Sequence, residues 1–152
     1  MKKALLTLSL IIISFTTTFA CRCTGYNSIK SAYKEKYKAC DFVISATVQY
    51  VKDSVANGNF LFLKSDPAYW RHGGYHAVFK VNKIYKGDIK TDTIEITPNW
   101  SNCSQYFSTN STYIIFGYKD SQGLFTTSIC SPNFLKNDRL KWKTFRRIRK
   151  RS

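Results

Sequence analysis

The sequence predicts a small, mainly β domain, a closed barrel of five or six short strands with a short helix at either end. Three observations predict it. The chain of 152 residues is about one domain long, and no Pro- or Gly-rich linker and no internal repeat divides it. Aromatic residues make up 16%, with ten Tyr and eleven Phe, a composition that favours strands. The apolar residues gather in short runs bounded by turn residues, and only the two ends carry helical spacing.

Residues 1–20 stand apart from the rest. Lys2-Lys3 precedes the apolar stretch from Ala4 to Phe15, and Thr16 to Ala20 ends in small residues, which reads as a signal peptide cleaved after Ala20. The mature chain is expected to run from Cys21 to Ser152 as one exported domain, secreted or periplasmic. No later segment approaches the ~20 apolar residues of a spanning helix. The alternative for Cys21 is lipidation, which would make the protein an outer-surface lipoprotein; against it, Thr18 stands where such signals usually carry a Leu-like residue.

From Ser28 to Ala39, Ile29, Ala32, Tyr33 and Tyr37 recur among Lys and Glu, so a short helix capped by Ser28 is expected. Phe42 to Val51 (FVISATVQYV) is a buried strand. A turn over Asp53 to Gly58 leads to a second short strand, Asn59 to Leu63, and an irregular loop, Lys64 to Gly74. Tyr75 to Tyr85 alternates with Tyr75, Ala77, Phe79 and Val81 on one face, and Lys86-Gly87-Asp88 closes it. Thr93 to Thr97 is the next strand and Pro98 to Asn110 a loop. Thr112 to Tyr118 (TYIIFGY) reads as a central strand, paired with Leu124 to Ile129 across a turn at Asp120 to Gly123. From Phe134 onward Leu135, Leu140, Trp142, Phe145 and Ile148 recur amid Lys and Arg, giving a basic amphipathic helix or tail from about residue 136. Five short strands flanked by helices fit a Greek-key barrel, and the OB-fold is the commonest barrel of that size.

Lys and Arg number 24 against nine Asp and Glu, a net charge of +15 that favours polyanions or anionic surfaces as neighbours. The excess concentrates at the C-terminus, where Lys136 to Arg151 holds nine cations and one Asp. Lys141, Lys143, Arg146, Arg147, Arg149, Lys150 and Arg151 form a candidate basic patch for an anionic polysaccharide or membrane surface. The plainer reading is a helix that packs its aromatics on the barrel and leaves a solvated charged face. Export argues against an intracellular nucleic-acid role, although OB-folds often bind single strands.

Five cysteines in an exported chain (Cys21, Cys23, Cys40, Cys103, Cys130) point to disulfides rather than metal ligation, with one left over and the pairing open. Enzymatic readings find little support. His72 and His76 are four apart, but Gly73-Gly74 between them argues against the helix on which that spacing makes a metal face; a loop His and a strand His are expected. No acid/base carboxylate pair stands out, Asp92 and Glu95 included, and no nucleophile elbow or phosphate loop is present. The chain is expected not to be an enzyme, to need no cofactor of its own and to be a monomer.

The opening Cys21-Arg22-Cys23, the stretch AYKEKYKACDFVISATV, and the later YKG, NCSQYFSTNSTYIIFG and LFTTSICSPNFLKNDRLKW together resemble the inhibitory domain of the tissue inhibitors of metalloproteinases (TIMP), within the netrin-like (NTR) module family. In that family a mature amino-terminal Cys-x-Cys begins the chain. A third Cys precedes an acidic residue and the first long strand, as Cys40-Asp41-Phe42 does here. A further Cys stands before a glycine-ended strand, matching Cys103 and Tyr113 to Gly117, and another follows the last strand and precedes a helix with a Trp, matching Cys130 and Trp142.

The resemblance implies a disulfide-stabilised OB barrel with Cys21 paired to Cys103, Cys23 to Cys130, and Cys40 unpaired, because the C-terminal tail offers it no Cys. It also implies inhibition of a zinc metalloendopeptidase by a wedge of Cys21, Arg22, Cys23, Thr24 and Gly25. In that wedge the backbone amine and carbonyl of Cys21 contact the target's zinc and the next side chain enters the specificity pocket. Arg22 departs from the small Thr or Ser of the relatives, and an unpaired guanidinium is costly in a deep apolar pocket. Arg22 therefore argues against the family's usual apolar-pocket targets and leaves open a metalloprotease with an acidic pocket. The alternative is a netrin-like interaction module without inhibitory activity, surface-attached through Cys21 or polyanion-binding through its basic C-terminus.

Overall fold

The computed structural model describes residues 21, 23, 25–53, 72–99 and 103–151. The expected signal peptide, the expected second strand Asn59 to Leu63, and the wedge residues Arg22 and Thr24 lie outside the described residues.

Helix α1 (Ile29–Ala39) starts where Ser28 predicts. The Ser28 hydroxyl accepts from the Ser31 amide at 3.1 Å and the Ser31 hydroxyl accepts from the Ser28 amide at 3.1 Å, so two otherwise orphaned donors are satisfied reciprocally. The chain then enters β1 (Phe42–Val51), β2 (Gly73–Gly74), β3 (Ala77–Lys86), β4 (Thr93–Ile96), β5 (Phe107–Ser108), β6 (Thr112–Lys119), β7 (Phe125–Thr126) and β8 (Phe134–Leu135), and ends in α2 (Arg139–Arg149).

Strands β1, β3, β4, β7 and β6 are neighbours in that order, and β6 pairs back onto β1, closing a five-stranded barrel. All pairings are antiparallel except β4 with β7, where Ile96 faces Phe125. This strand order with its single parallel contact is the Greek-key topology of an OB-fold. Closure requires β1 to serve both β3 and β6. Three register irregularities, at Val43/Ile44, Ser45/Ala46 and Val48/Tyr50, bend it enough to do so.

The continuous apolar runs of β1 and β6 have a simple cause, in that both strands are buried on two faces. Phe42, Ile44, Ala46, Val48, Tyr113 and Ile115 point into the barrel with Phe79, Ile94, Ile96 and Phe107. Val43, Ile114 and Phe116 point outward into a second core, closed over by Tyr33 of α1, Phe134 of β8, and Phe145 and Ile148 of α2. Tyr33 stacks on Phe116 at 5.7 Å, and Phe145 meets Phe116 edge-on at 5.7 Å. The two helices are therefore one layer against the barrel wall.

Several boundaries differ from the sequence reading. Gly73-Gly74, expected in a loop, form β2 against β5, itself inside the expected loop Pro98 to Asn110. A side chain at Gly73 would lie 2.2 Å from the Phe107 carbonyl oxygen, and one at Gly74 would lie 2.4 Å from Asp53 Oδ1, so the pair packs where only glycine fits. Strand β3 starts at Ala77 rather than Tyr75, because the buried Asp53 carboxylate accepts the Tyr75 and His76 amides at 2.8 and 2.9 Å and takes them out of the ladder. The strand expected over Leu124 to Ile129 shortens to β7, since Asp120 Oδ1 accepts the Leu124 amide at 2.9 Å; beyond it only a Ser104–Ser128 bridge remains. The C-terminal helix begins at Arg139 behind its cap Asp138, while Phe134 and Leu135 extend the sheet beside β6.

Candidate functional site

The two cysteines of Cys21-x-Cys23 are both fastened to one region of the barrel. Cys21 is bonded to Cys103 and Cys23 to Cys130, across 82 and 107 residues of sequence. These are the pairs that the family resemblance implied, with Cys40 left as a free, buried thiol. Burial raises the Cys40 pKa above its ordinary value, and its Sγ reaches the Tyr37 carbonyl at 3.6 Å.

The partner cysteines sit on adjoining loops. Residues 103 and 104 run beside 128 and 129, joined by the Ser104–Ser128 bridge and by the Ile129 amide donating to the Cys103 carbonyl at 3.0 Å. Asn133 ties the second loop to the sheet: its Nδ2 donates to Thr127 Oγ1 at 3.0 Å and its Oδ1 accepts the Phe116 amide at 2.8 Å. Thr127 Oγ1 in turn donates to the Phe116 carbonyl at 2.7 Å. The disulfides thus grip loops that are fixed to β6.

As a result the two bridges lie against one another, with Cys21 Sγ 3.4 Å from Cys130 Sγ. Cys21 is half-buried, Cys23 is exposed, and Gly25 is exposed with nothing within 4 Å of where a side chain would begin. Of the five expected wedge residues, the structure describes Cys21, Cys23 and Gly25 and brings them to one surface edge. The sulfurs of Cys21, Cys23 and Cys130 lie within 4.8 Å of one another, the one convergence of three metal-ligating side chains among the described residues. All three sulfurs are in disulfides, which removes the thiolates a metal would need.

The histidines are not brought together. His72 lies in the bend before β2, and its carbonyl accepts the Thr109 amide at 2.8 Å. His76 stands one residue before β3, not within the strand expected for it; its Nε2 contacts the Glu95 carboxylate, which also pairs with Lys52 Nζ. The hydrogen bond from Lys52 is the largest influence on Glu95, and with that from His76 it holds the carboxyl below its ordinary value of 4.5. This trio joins β3, β4 and the end of β1 on the barrel surface.

The basic patch divides when placed on α2. Lys141 is engaged by Asp138 at 3.1 Å, and that carboxylate also caps the helix by accepting the Lys141 amide at 3.1 Å. Hydrogen bonding from Lys141 lowers the Asp138 pKa. Arg149 lies over the Tyr85 ring at 5.1 Å and Arg146 over Trp142 at 6.0 Å. Lys143, Arg146, Arg147, Lys150 and Arg151 are exposed. A shallow groove of about 210 Å³ runs along them, lined by Trp142, Lys143, Arg146, Arg147 and Lys150. Of the aromatic and apolar residues interleaved with these cations, Phe145 and Ile148 are buried in the second core, while Trp142 packs at its edge and is half-buried.

Sequence reasoning missed Lys86. Its ammonium donates to the Tyr37 and Lys38 carbonyls at 2.7 and 2.8 Å and to the Cys40 carbonyl, closing the end of α1 from the neighbouring strand. No local pattern marks a cap supplied from 46 residues away. Comparison of the chain with protein-family models found no match, and comparison with curated proteins found none either.

Proposed function

We propose that the protein is an exported, TIMP-like inhibitor of a zinc metalloendopeptidase, acting through the backbone amine and carbonyl of Cys21 once residues 1–20 are removed. The observation that carries this reading is the double fastening of Cys21 and Cys23 to adjoining, sheet-anchored loops, with Cys23 and Gly25 at the surface. Such a segment has little freedom left to lose on binding, which is where a rigid inhibitor gains affinity. An α-amine has a pKa near 8, so at neutral pH a usable fraction is unprotonated and can ligate zinc together with the adjacent carbonyl oxygen. These two ligands displace the protease's catalytic water. Arg22 then enters the specificity pocket, and a carboxylate there satisfies the guanidinium that an apolar pocket would strand.

The test compares protein beginning at Cys21 with the same protein carrying one extra amino-terminal Ala, against a panel of zinc endopeptidases that includes ones cleaving before Arg or Lys. Inhibition by the first form and its loss in the second, with both disulfides intact, is the expected result. Equal inhibition by the two forms, or none across the panel from disulfide-intact protein with a free Cys21 amine, overturns the proposal.

A further inference from the structure

Helix α2 turns one face to the barrel and a different kind of face to solvent. Phe145 and Ile148 are buried in the second core, and Trp142 packs at its edge. At helical spacing the opposite face carries Leu140, Lys143, Arg147 and Lys150, with Arg139 and Arg146 flanking them. Lys143 to Lys150 covers about 10 Å of helix axis. Among the described residues none of these cations has a carboxylate partner; the neighbouring Asp138 is committed to Lys141 and to its capping bond.

Leu140 is the feature that a solvated charged face does not explain. It is 80% exposed, the most exposed of the large apolar side chains among the described residues, and it stands on the same face as three cations. A linear polyanion recognised by charge gains nothing from a projecting leucine. A lipid surface does, because phosphates meet the cations while the apolar side chain enters the acyl boundary.

We propose that the outer face of α2 is a docking surface for an anionic phospholipid bilayer, with Lys143, Arg146, Arg147 and Lys150 meeting headgroup phosphates in the groove beside Trp142 and Leu140 inserting below them. The site shares no residue with the Cys21–Cys23 edge and does not depend on how that edge functions. Each cation near an anionic membrane surface adds about a fivefold gain in binding, so four make a reversible, salt-sensitive attachment. The deep burial of Phe145 and Ile148 limits insertion to the one leucine, so the helix lies on the membrane while it remains part of the fold.

The test is co-sedimentation of the full, disulfide-intact protein with phosphatidylcholine vesicles, pure or containing one third phosphatidylglycerol. Binding is expected only to the anionic vesicles and is expected to fall steeply with salt. Lys143→Glu with Arg147→Glu should weaken it by about twentyfold or more, and Leu140→Ser by about three- to tenfold. These positions are exposed, and an unchanged melting temperature separates their effect from misfolding. In a Leu140→Trp variant the new indole should shift its emission to the blue on anionic vesicles. Binding equally to both vesicle types overturns the proposal. So does vesicle binding that Leu140→Ser leaves unchanged while heparin retains the protein, an outcome that assigns the face to a soluble sulfated polymer. Complete competition by millimolar inorganic phosphate also overturns it, in favour of a small-anion site.

Discussion

Lys86 shows how much one side chain at the end of a strand can organise. Its ammonium satisfies carbonyls at the end of α1 that the helix itself cannot pair, and it lies 5.9 Å over the Tyr37 ring. Hydrogen bonds to a charged donor are worth about 1.5–3 kcal/mol, so Lys86→Met should lower the unfolding free energy by about 2 kcal/mol in urea titrations. Glu95 gives a pH signature. Its folded-state pKa is depressed below 4.5, so its contribution is fully present above that value and is lost as pH falls through the folded-state pKa. The stability difference between wild type and Glu95→Gln should therefore be largest above pH 4.5 and vanish in stronger acid, as read from thermal midpoints across pH. Half-exposure of the carboxylate makes the effect shrink with salt as well. Neither role was legible beforehand. In the sequence Lys86 closes a strand and Glu95 belongs to no acid/base motif, while both act across the fold on groups distant in sequence.

At the scale of elements, legibility followed periodicity. Strands β1 and β6 and both helices were readable because each carries an extended apolar pattern, and Ser28 announced α1 with a local cap. The two-residue strands β2, β5 and β8 were not, and β7 is shorter than the run Leu124 to Ile129 that suggests it. Such strands are too short to show alternation, and side-chain hydrogen bonds set their limits, accepted by Asp53 from the Tyr75 and His76 amides across the fold and by Asp120 from the Leu124 amide within a turn. The basic C-terminus follows the plainer reading of its sequence, a helix that packs its aromatics on the barrel. Phe145 lies fully buried against Tyr33, Tyr37, Tyr85, Phe116 and Phe134, so α2 closes a core as well as carrying cations. Phe145→Ala should cost about 3–5 kcal/mol, measured by chemical denaturation. A loss below 1 kcal/mol would show that the helix is peripheral to the fold.

For the whole molecule, the fold class was legible because composition, strand spacing and the lack of a linker agreed, and closure of β6 onto β1 realises it. The sulfur chemistry was legible in part. Cysteine counting predicted bridges with one cysteine left over, the resemblance supplied the partners, and nothing in the sequence indicated that the bridges would touch. In the chain-entropy model, loops of 82 and 107 residues contribute about 4.5 kcal/mol each when closed singly. Reduction of both should lower the thermal midpoint sharply, as scanning calorimetry with and without a thiol reductant will measure.

The Cys23–Cys130 bridge also determines how the chain bears tension. A pull applied between residue 23 and Arg149 enters the covalent shortcut at Cys130 and bypasses the barrel, leaving only the segment beyond it to extend. At the reach of an extended chain that segment yields about 65 Å, whereas the reduced chain yields about 430 Å between the same points. A molecule held at its N-terminal edge and at α2 is thus limited to that short extension while oxidised. Under load β8 and α2, within the about twenty residues beyond Cys130, bear the extension, while β1 to β7 stay within the loop that the bridge closes.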